Sequence, residues 1–141
     1  MKKYTLGFIF NSTLDKVLLI HKLTPEWQVG KINGLGGKIE QGEDSLTCIM
    51  REIKEESHLD TEKEKWNYIG TMGSQSWTAD VFCYVYLGNI ADAKTMEAEK
   101  IEWFPLDSLP LNMIENLHWL IPLSLDKLKN NHIESFSVHY L

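Results

Sequence analysis

The chain has 141 residues, 43% of them hydrophobic, and a net charge of −6. That length suits a single domain, residues 1–141, with a substantial core and no room for a second one. The acidic balance speaks against a nucleic-acid polymer as partner, since such surfaces are usually basic, and no apolar run approaches the length that spans a bilayer. Cys48 and Cys83 are the only cysteines and form no CxxC pair, so neither a zinc site nor a disulfide framework is expected. They read as reduced, buried thiols of a cytoplasmic protein. The start MKKYTLGFIFN has two lysines, but its short apolar stretch merges into a strand pattern and does not resemble a secretory leader.

In chain order, Tyr4 to Phe10 has the β-rich composition of a strand, and Asn11-Ser12 marks a turn. Lys16 to Lys22 follows as a second strand, and the short gap predicts a hairpin. Thr24 to Gly30 is a polar connection. Gly34, Gly36 and Gly37 then let the backbone pass close to a ligand or metal. Asp44 or Ser45 is a suitable N-cap for a helix whose buried stripe is Leu46, Ile49, Met50 and Ile53. Beyond it, Trp66 to Thr71 predicts a strand, and Ala79 to Leu87 predicts a central one. A charged linker, Ala91 to Glu99, leads to a strand at Lys100 to Phe104. Leu111 to Lys129 has helical spacing, with Leu117, Leu120, Leu125 and Leu128 as core contacts and Pro122 expected to start or kink the helix. Ser135 to Tyr140 closes the chain as a last strand. There are no repeats and no internal boundary, and a mixed sheet with flanking helices follows from this order.

The chemistry concentrates in the helix after the glycines. Glu52, Glu55 and Glu56 are spaced i, i+3 and i+4, so they project from one face. Carboxylates crowded in this way repel one another unless a cation sits among them. Hard divalent ions take oxygen ligands, and Mg²⁺ favours a few carboxylates together with substrate phosphates. The local reading is a Mg²⁺ or Mn²⁺ site for a phosphorylated substrate. A solvated acidic face is the bland alternative, and the glycine turn with Arg51 weighs against it.

The run Gly36 to Leu59, GGKIEQGEDSLTCIMREIKEESHL, resembles the Nudix box, G-x5-E-x7-R-E-U-x-E-E-x-G-U, where U is a bulky aliphatic residue. Gly37, Glu43, Arg51, Glu52, Glu55 and Glu56 match its fixed positions, and Ile53 and Leu59 match the aliphatic ones. His58 stands where the family has its last glycine. Histidine tolerates positive φ better than most residues, so the expected consequence is about 1 kcal/mol of strain at the helix exit, with His58 facing solvent. The resemblance implies an α/β fold, the Nudix α/β/α sandwich. It also implies a metal-dependent hydrolase in which water attacks phosphorus and a P–O–P bridge breaks. Glu52, Glu55 and Glu56 are then metal ligands with the Gly36 carbonyl, and Glu52 or Glu56 orients or deprotonates the water. By the same analogy Arg51 ties the glutamates in place and Glu43 braces the start of the helix. Lys38 touches a phosphate, or is a plain surface lysine. The family often adds a carboxylate from a loop outside the box, and of Glu97, Glu99 and Glu102 the expectation falls on Glu99.

The segment INGLGGK, Ile32 to Lys38, resembles the WNGFGGK run of the MutT-related oxidised-purine triphosphatases. Asn33 stands at their base-contacting asparagine and carries both donors and an acceptor; its other reading is a turn residue before Gly34. Their acidic pair that reads the purine is approximated here by Glu115 and Asn116, and Trp77 or Trp119 offers a stacking surface. The expected substrate is a nucleoside triphosphate, with an oxidised purine such as 8-oxo-dGTP favoured, held by Asn33, Gly37, Lys38 and Asn116. The products are a monophosphate and pyrophosphate, and the protein is a monomer or homodimer. ADP-ribose and dinucleoside polyphosphates are alternative substrates. The NADH diphosphatase branch fits less well, because its zinc-binding cysteines and SQPWPFPxS signature are absent. Two further alternatives are a Nudix-fold domain that only binds nucleotide and an isomerase of isopentenyl diphosphate type; intact carboxylates oppose the first, and the placement of Cys48 opposes the second.

Overall fold

A computed structural model describes residues 1–141. Alternation of apolar side chains builds the first hairpin, β1 (Lys2–Asn11) and β2 (Lys16–His21), which pair antiparallel at Ile9–Leu18 and Phe10–Val17. Asn11 closes the turn by accepting the N–H groups of Asp15 and Lys16 on its side-chain oxygen. Beyond these pairs the two strands diverge, and the next segment fills the fork. There β3 (Ile32–Asn33) pairs with β2, while β4 (Leu35–Lys38) pairs with β1. The glycine run is therefore a strand at the centre of a splayed hairpin.

The helix α1 (Ser45–Ser57) starts at Asp44, whose carboxylate accepts the Thr47 N–H at 2.7 Å. It ends at His58, which is exposed and left-handed (φ 68°), its N–H reaching the Lys54 carbonyl. Next come β5 (Asn67–Gly73), β6 (Trp77–Tyr86) and β7 (Ile101–Pro105). Strand β6 lies inside the sheet, parallel to β1 along ten residue pairs and antiparallel to β5; β7 pairs with β2. The last elements are α2 (Leu117–Asn130) and β8 (Phe136–His139), which is parallel to β5.

Period-two alternation divides the core between the two faces of this eight-stranded mixed sheet. Ile9, Leu18, Leu35, Ile49 and Ile53 pack on the α1 face, and Leu6, Phe8, Val81, Leu117 and Leu120 on the α2 face. The result is an α/β/α sandwich. No helix is long and apolar enough to cross a membrane.

The C-terminal helix departs from the expectation over Leu111 to Lys129. Residues 111–116 are not helical, because Asn112 and Ile114 hydrogen-bond to Ile32 and dock that stretch against β3. Pro122 does not start the helix; it lies in the second turn. Both Pro122 and His118, whose carbonyl loses its partner to the proline, are exposed, so the missing bond falls on the solvent side of the helix.

Candidate active site

The box helix and the glycine strand meet face to face. At Gly36, with φ 150°, a Cβ would collide with the Thr5 carbonyl. At Gly37 it would run into the carboxylate of Glu52. Only glycine lets α1 approach the strand this closely. The Gly36 N–H donates to Glu56 Oε1 at 3.0 Å, which ties strand and helix together at the acidic edge.

Arg51 organises the carboxylates. Its Nε and Nη2 hold Glu43 in a two-pronged pair at 2.8 and 2.9 Å. Nη1 reaches Glu52 at 3.0 Å and Glu55 at 3.2 Å, and Nη2 also donates to the Lys38 carbonyl at 3.3 Å. Glu43 in turn accepts the Glu40 N–H, so the loop entering α1 is locked to the middle of the helix. These bonds, the Arg51 fork foremost, lower the Glu43 carboxyl to about 2. Cys48 is buried beneath the arginine, 3.6 Å from Nη2, and burial raises its thiol to about 11, so it remains protonated at neutral pH. That leaves no cysteine nucleophile here.

Glu56 differs from Glu43 in almost every respect. Only 4% of it is exposed. Burial first, then repulsion from Glu52 and Glu97, raises its carboxyl to about 8, against the pull of the Gly36 N–H and Lys22. Burial also pushes Glu52 up, although Arg51 opposes it. Glu55 is half exposed. Glu56 thus lacks a neighbouring cation that would keep it ionised, Glu52 has only its bond to Arg51, and every donor offered is oxygen, the chemistry a hard divalent ion requires. No three acidic, histidine or cysteine side chains converge into a ready-made cage. A Mg²⁺ site completed by substrate phosphates does not need one, because that ion binds through one or two carboxylates.

Glu99, the expected loop carboxylate, is engaged elsewhere. It pairs with Lys22 at 3.0 Å and accepts the N–H groups of Leu23 and Thr24, which lowers its carboxyl. Its partners brace the loop after β2. Glu97 is the loop residue whose charge acts on both Glu52 and Glu56. The Met96 N–H bonds to the Glu56 carbonyl and the Lys94 N–H to the Ser57 carbonyl, which fastens this loop to the end of α1. Nothing in the sequence ranks Glu97 above Glu99, because the choice depends on where the linker docks.

The other face of the glycine strand lines a cleft of about 1020 Å³. Asn33, Gly37, Lys38 and Asn116 all border it, as do Trp77 and Glu115; Trp119 packs instead edge-to-face on Phe136. Asn33 donates to Gln28 at 3.0 Å, and its side-chain oxygen takes the Gly34 N–H at 2.8 Å. Asn33 thus makes the expected turn contact with Gly34 and also borders the cleft. Asn116 donates to the sulfur of Met72 at 3.5 Å, while its oxygen is buried without a partner. The lining holds Lys2, Lys22, Lys31 and Lys38 against a single carboxylate, Glu115, in a chain that is acidic overall. A local positive potential of this kind attracts phosphates. Trp27, Gln28, Lys31 and Tyr140 were not foreseen as cleft residues, since they come from segments with no motif of their own.

With this geometry in view, a NUDIX domain model matches residues 2–122. The chain belongs to the Nudix family. It is 34% identical over 113 residues to the human 8-oxo-dGDP phosphatase NUDT18, covering 76% of this chain and 33% of that protein. It is 32% identical over 101 residues to the NAD-capped RNA hydrolase NudC of Pseudomonas syringae pv. tomato, covering 68% of this chain and 34% of NudC. The chain thus spans about a third of these relatives. NudC proteins stand among the relatives although the signatures expected of that branch are missing. Among solved structures, MutT from Bacillus halodurans superposes with a TM-score of 0.70 at 23% identity, over 99% of this chain and 90% of that one. An ADP-ribose pyrophosphatase from Streptococcus suis gives 0.73 at 21% identity, over 97% and 98%. At such identities the agreement is one of fold.

Proposed function

We propose that this Nudix hydrolase cleaves a P–O–P bridge of a nucleoside triphosphate, with an oxidised purine such as 8-oxo-dGTP as favoured base, giving a monophosphate and pyrophosphate. The observation that carries this reading is the double use of one short strand. Gly36 and Gly37 touch Glu56 and Glu52 on one face and, with Lys38, border the basic cleft on the other. A nucleotide lying in the cleft would bring its phosphates to the same strand that contacts the carboxylates. Glu52, Glu55 and Glu56, with the Gly36 carbonyl and Glu97 nearby, are the groups that would hold a divalent ion. When bound, that ion lowers the pKa of the attacking water and neutralises phosphate charge. Arg51 keeps the carboxylates spaced, Lys38 meets the phosphate chain, and Asn33 and Asn116 meet the base. Glu52 or Glu56 orients the water and takes its proton.

The similarity to NUDT18 favours one variation on this reading, an oxidised-purine nucleoside diphosphate releasing phosphate. The test is nucleoside monophosphate formation with Mg²⁺ from 8-oxo-dGTP, 8-oxo-dGDP, the normal dNTPs, ADP-ribose and NADH, with pyrophosphate as co-product from a triphosphate, phosphate from a diphosphate, and a second phosphomonoester from ADP-ribose or NADH. Preference for the oxidised triphosphate supports the proposal, and preference for the diphosphate supports the variation. Turnover confined to ADP-ribose or NADH keeps the box chemistry and removes the purine argument.

A further inference from the structure

Between β2 and β3 the chain makes one short 3₁₀ turn, Glu26–Gln28, which brings Trp27 and Gln28 to the cleft beside Asn33. The amide groups here are oriented by a chain of bonds that begins at the backbone. The Gly34 N–H can only donate, so the Asn33 atom it meets at 2.8 Å is the oxygen. The Asn33 nitrogen therefore faces Gln28, and at 3.0 Å it must meet the Gln28 oxygen, since two NH₂ groups cannot bond to each other. That fixes the remaining end of Gln28: its Nε2 carries two N–H donors, and neither has a partner within the protein. Asn116, which lines the same cleft, contributes the opposite function, a buried acceptor oxygen with no partner.

We infer that Gln28 is a specificity-determining residue: it sets the orientation of the Asn33 amide and presents its own N–H donors to the substrate's base. This deepens, and rests on, the nucleotide reading above. A base that satisfies both sets of groups shows a carbonyl to Gln28 and Asn33 and a ring N–H to Asn116. A 6-oxopurine has that edge. A 6-aminopurine reverses it, setting an amino group against the donors and a bare ring nitrogen against the acceptor. Polar groups that the wrong base leaves unpaired discriminate more strongly than a change in apolar contact does.

Gln28→Glu is the informative substitution, because a carboxylate still accepts from Asn33 but has no donor for the base. Its added charge acts equally on dGTP and dATP, so the ratio of their kcat/KM values isolates base reading. The wild-type protein should favour dGTP, and Gln28→Glu should narrow that preference by about tenfold. The change should fall on KM, with kcat and melting temperature nearly unchanged. Gln28→Leu, which also frees Asn33, should narrow it at least as much. An active wild-type protein whose dGTP:dATP ratio is the same in both variants would overturn the inference. Should the wild-type protein turn over neither triphosphate, the proposed reaction fails, while dGMP and dAMP binding followed by tryptophan fluorescence still tests Gln28. A dGMP preference lost in Gln28→Glu upholds its role, and equal binding of the two nucleotides in the wild-type protein overturns it.

Discussion

Around Arg51 the polar atoms are bound to one another, whereas in the neighbouring cleft several are bound to nothing. Glu43, Glu52 and Glu55 share one guanidinium, and Glu56 takes a backbone N–H. In the cleft, the Asn116 oxygen has no partner. The two regions meet along Gly36–Lys38, so the contrast is one of task and not of location. Groups that must hold a fixed geometry while charge moves gain from mutual bonding, which limits their reorganisation. Groups that must recognise a molecule have to keep bonding capacity in reserve, at some cost in stability. The first region should be intolerant of single changes, and the second should absorb them with a change of preference.

The sharpest way to break that contrast is Glu56→Gln. Glutamine still accepts the Gly36 N–H and has nearly the same shape, so the fold and its metal-free melting temperature at neutral pH should persist. Hydrolysis should fall on the order of 10²–10⁴-fold in kcat. A variant that keeps activity would remove Glu56 from the chemistry and leave Glu52 as the water-orienting group.

Gly37→Ala comes next. The added methyl group meets the Glu52 carboxylate, which can escape only by leaving Arg51 or pushing the helix outward. Displacements of this size cost about 10²-fold in rate, and the expected loss is in kcat, with a melting temperature a few degrees lower as a check that the domain still folds. Unchanged kinetics would mean that helix and strand separate freely, contrary to the tight packing described above.

In the cleft, Asn116→Ala should have a milder effect. It removes a buried oxygen that has no partner in the free protein and that, in the proposed function, bonds to substrate. KM for the preferred nucleotide should rise by about threefold to tenfold while kcat holds. Thermal stability should stay level or increase slightly. A loss concentrated in kcat would place Asn116 with the reacting groups and erase the distinction between the two regions.

The same distinction governs what could be read before the fold was known. The acidic edge lies on one helix, where a spacing of three and four residues already places side chains together, so Glu52, Glu55 and Glu56 and the arginine among them were legible. The central position of β6 and the αL exit at His58 were legible for similar local reasons. The cleft is assembled from loops and strand ends far apart in the chain, and no periodicity relates Gln28 to Asn116 or Tyr140 to Lys31. Glu97 and Glu99 differ by two residues in a charged linker, and only the docking of Lys94 and Met96 on the end of α1 separates their roles. Residues 111–116 look helical by spacing, yet backbone bonds to Ile32 hold them otherwise. Long-range pairing overrode local preference there, and it did so at the border of the cleft.

The mutual bonding around Arg51 carries a final consequence, smaller than the kinetic ones and separable from catalysis. Glu43 has a folded-state carboxyl at about 2, against an ordinary value of 4.5. A carboxyl lowered on folding adds stability that is fully present above its unfolded value and disappears as pH falls through its folded value. The brace should therefore be intact above pH 4.5 and fail progressively toward pH 2. Glu43→Gln cannot ionise, so it should remove this part of the acid-side decline: its melting temperature should lie below that of the wild-type protein at pH 6, and the two should converge as the pH approaches 2. Thermal melts in metal-free buffer across that range measure the gap directly. A gap that stays constant with pH would show that Glu43 supports α1 through its shape and neutral hydrogen bonds, and that its charge on Arg51 contributes nothing to the fold.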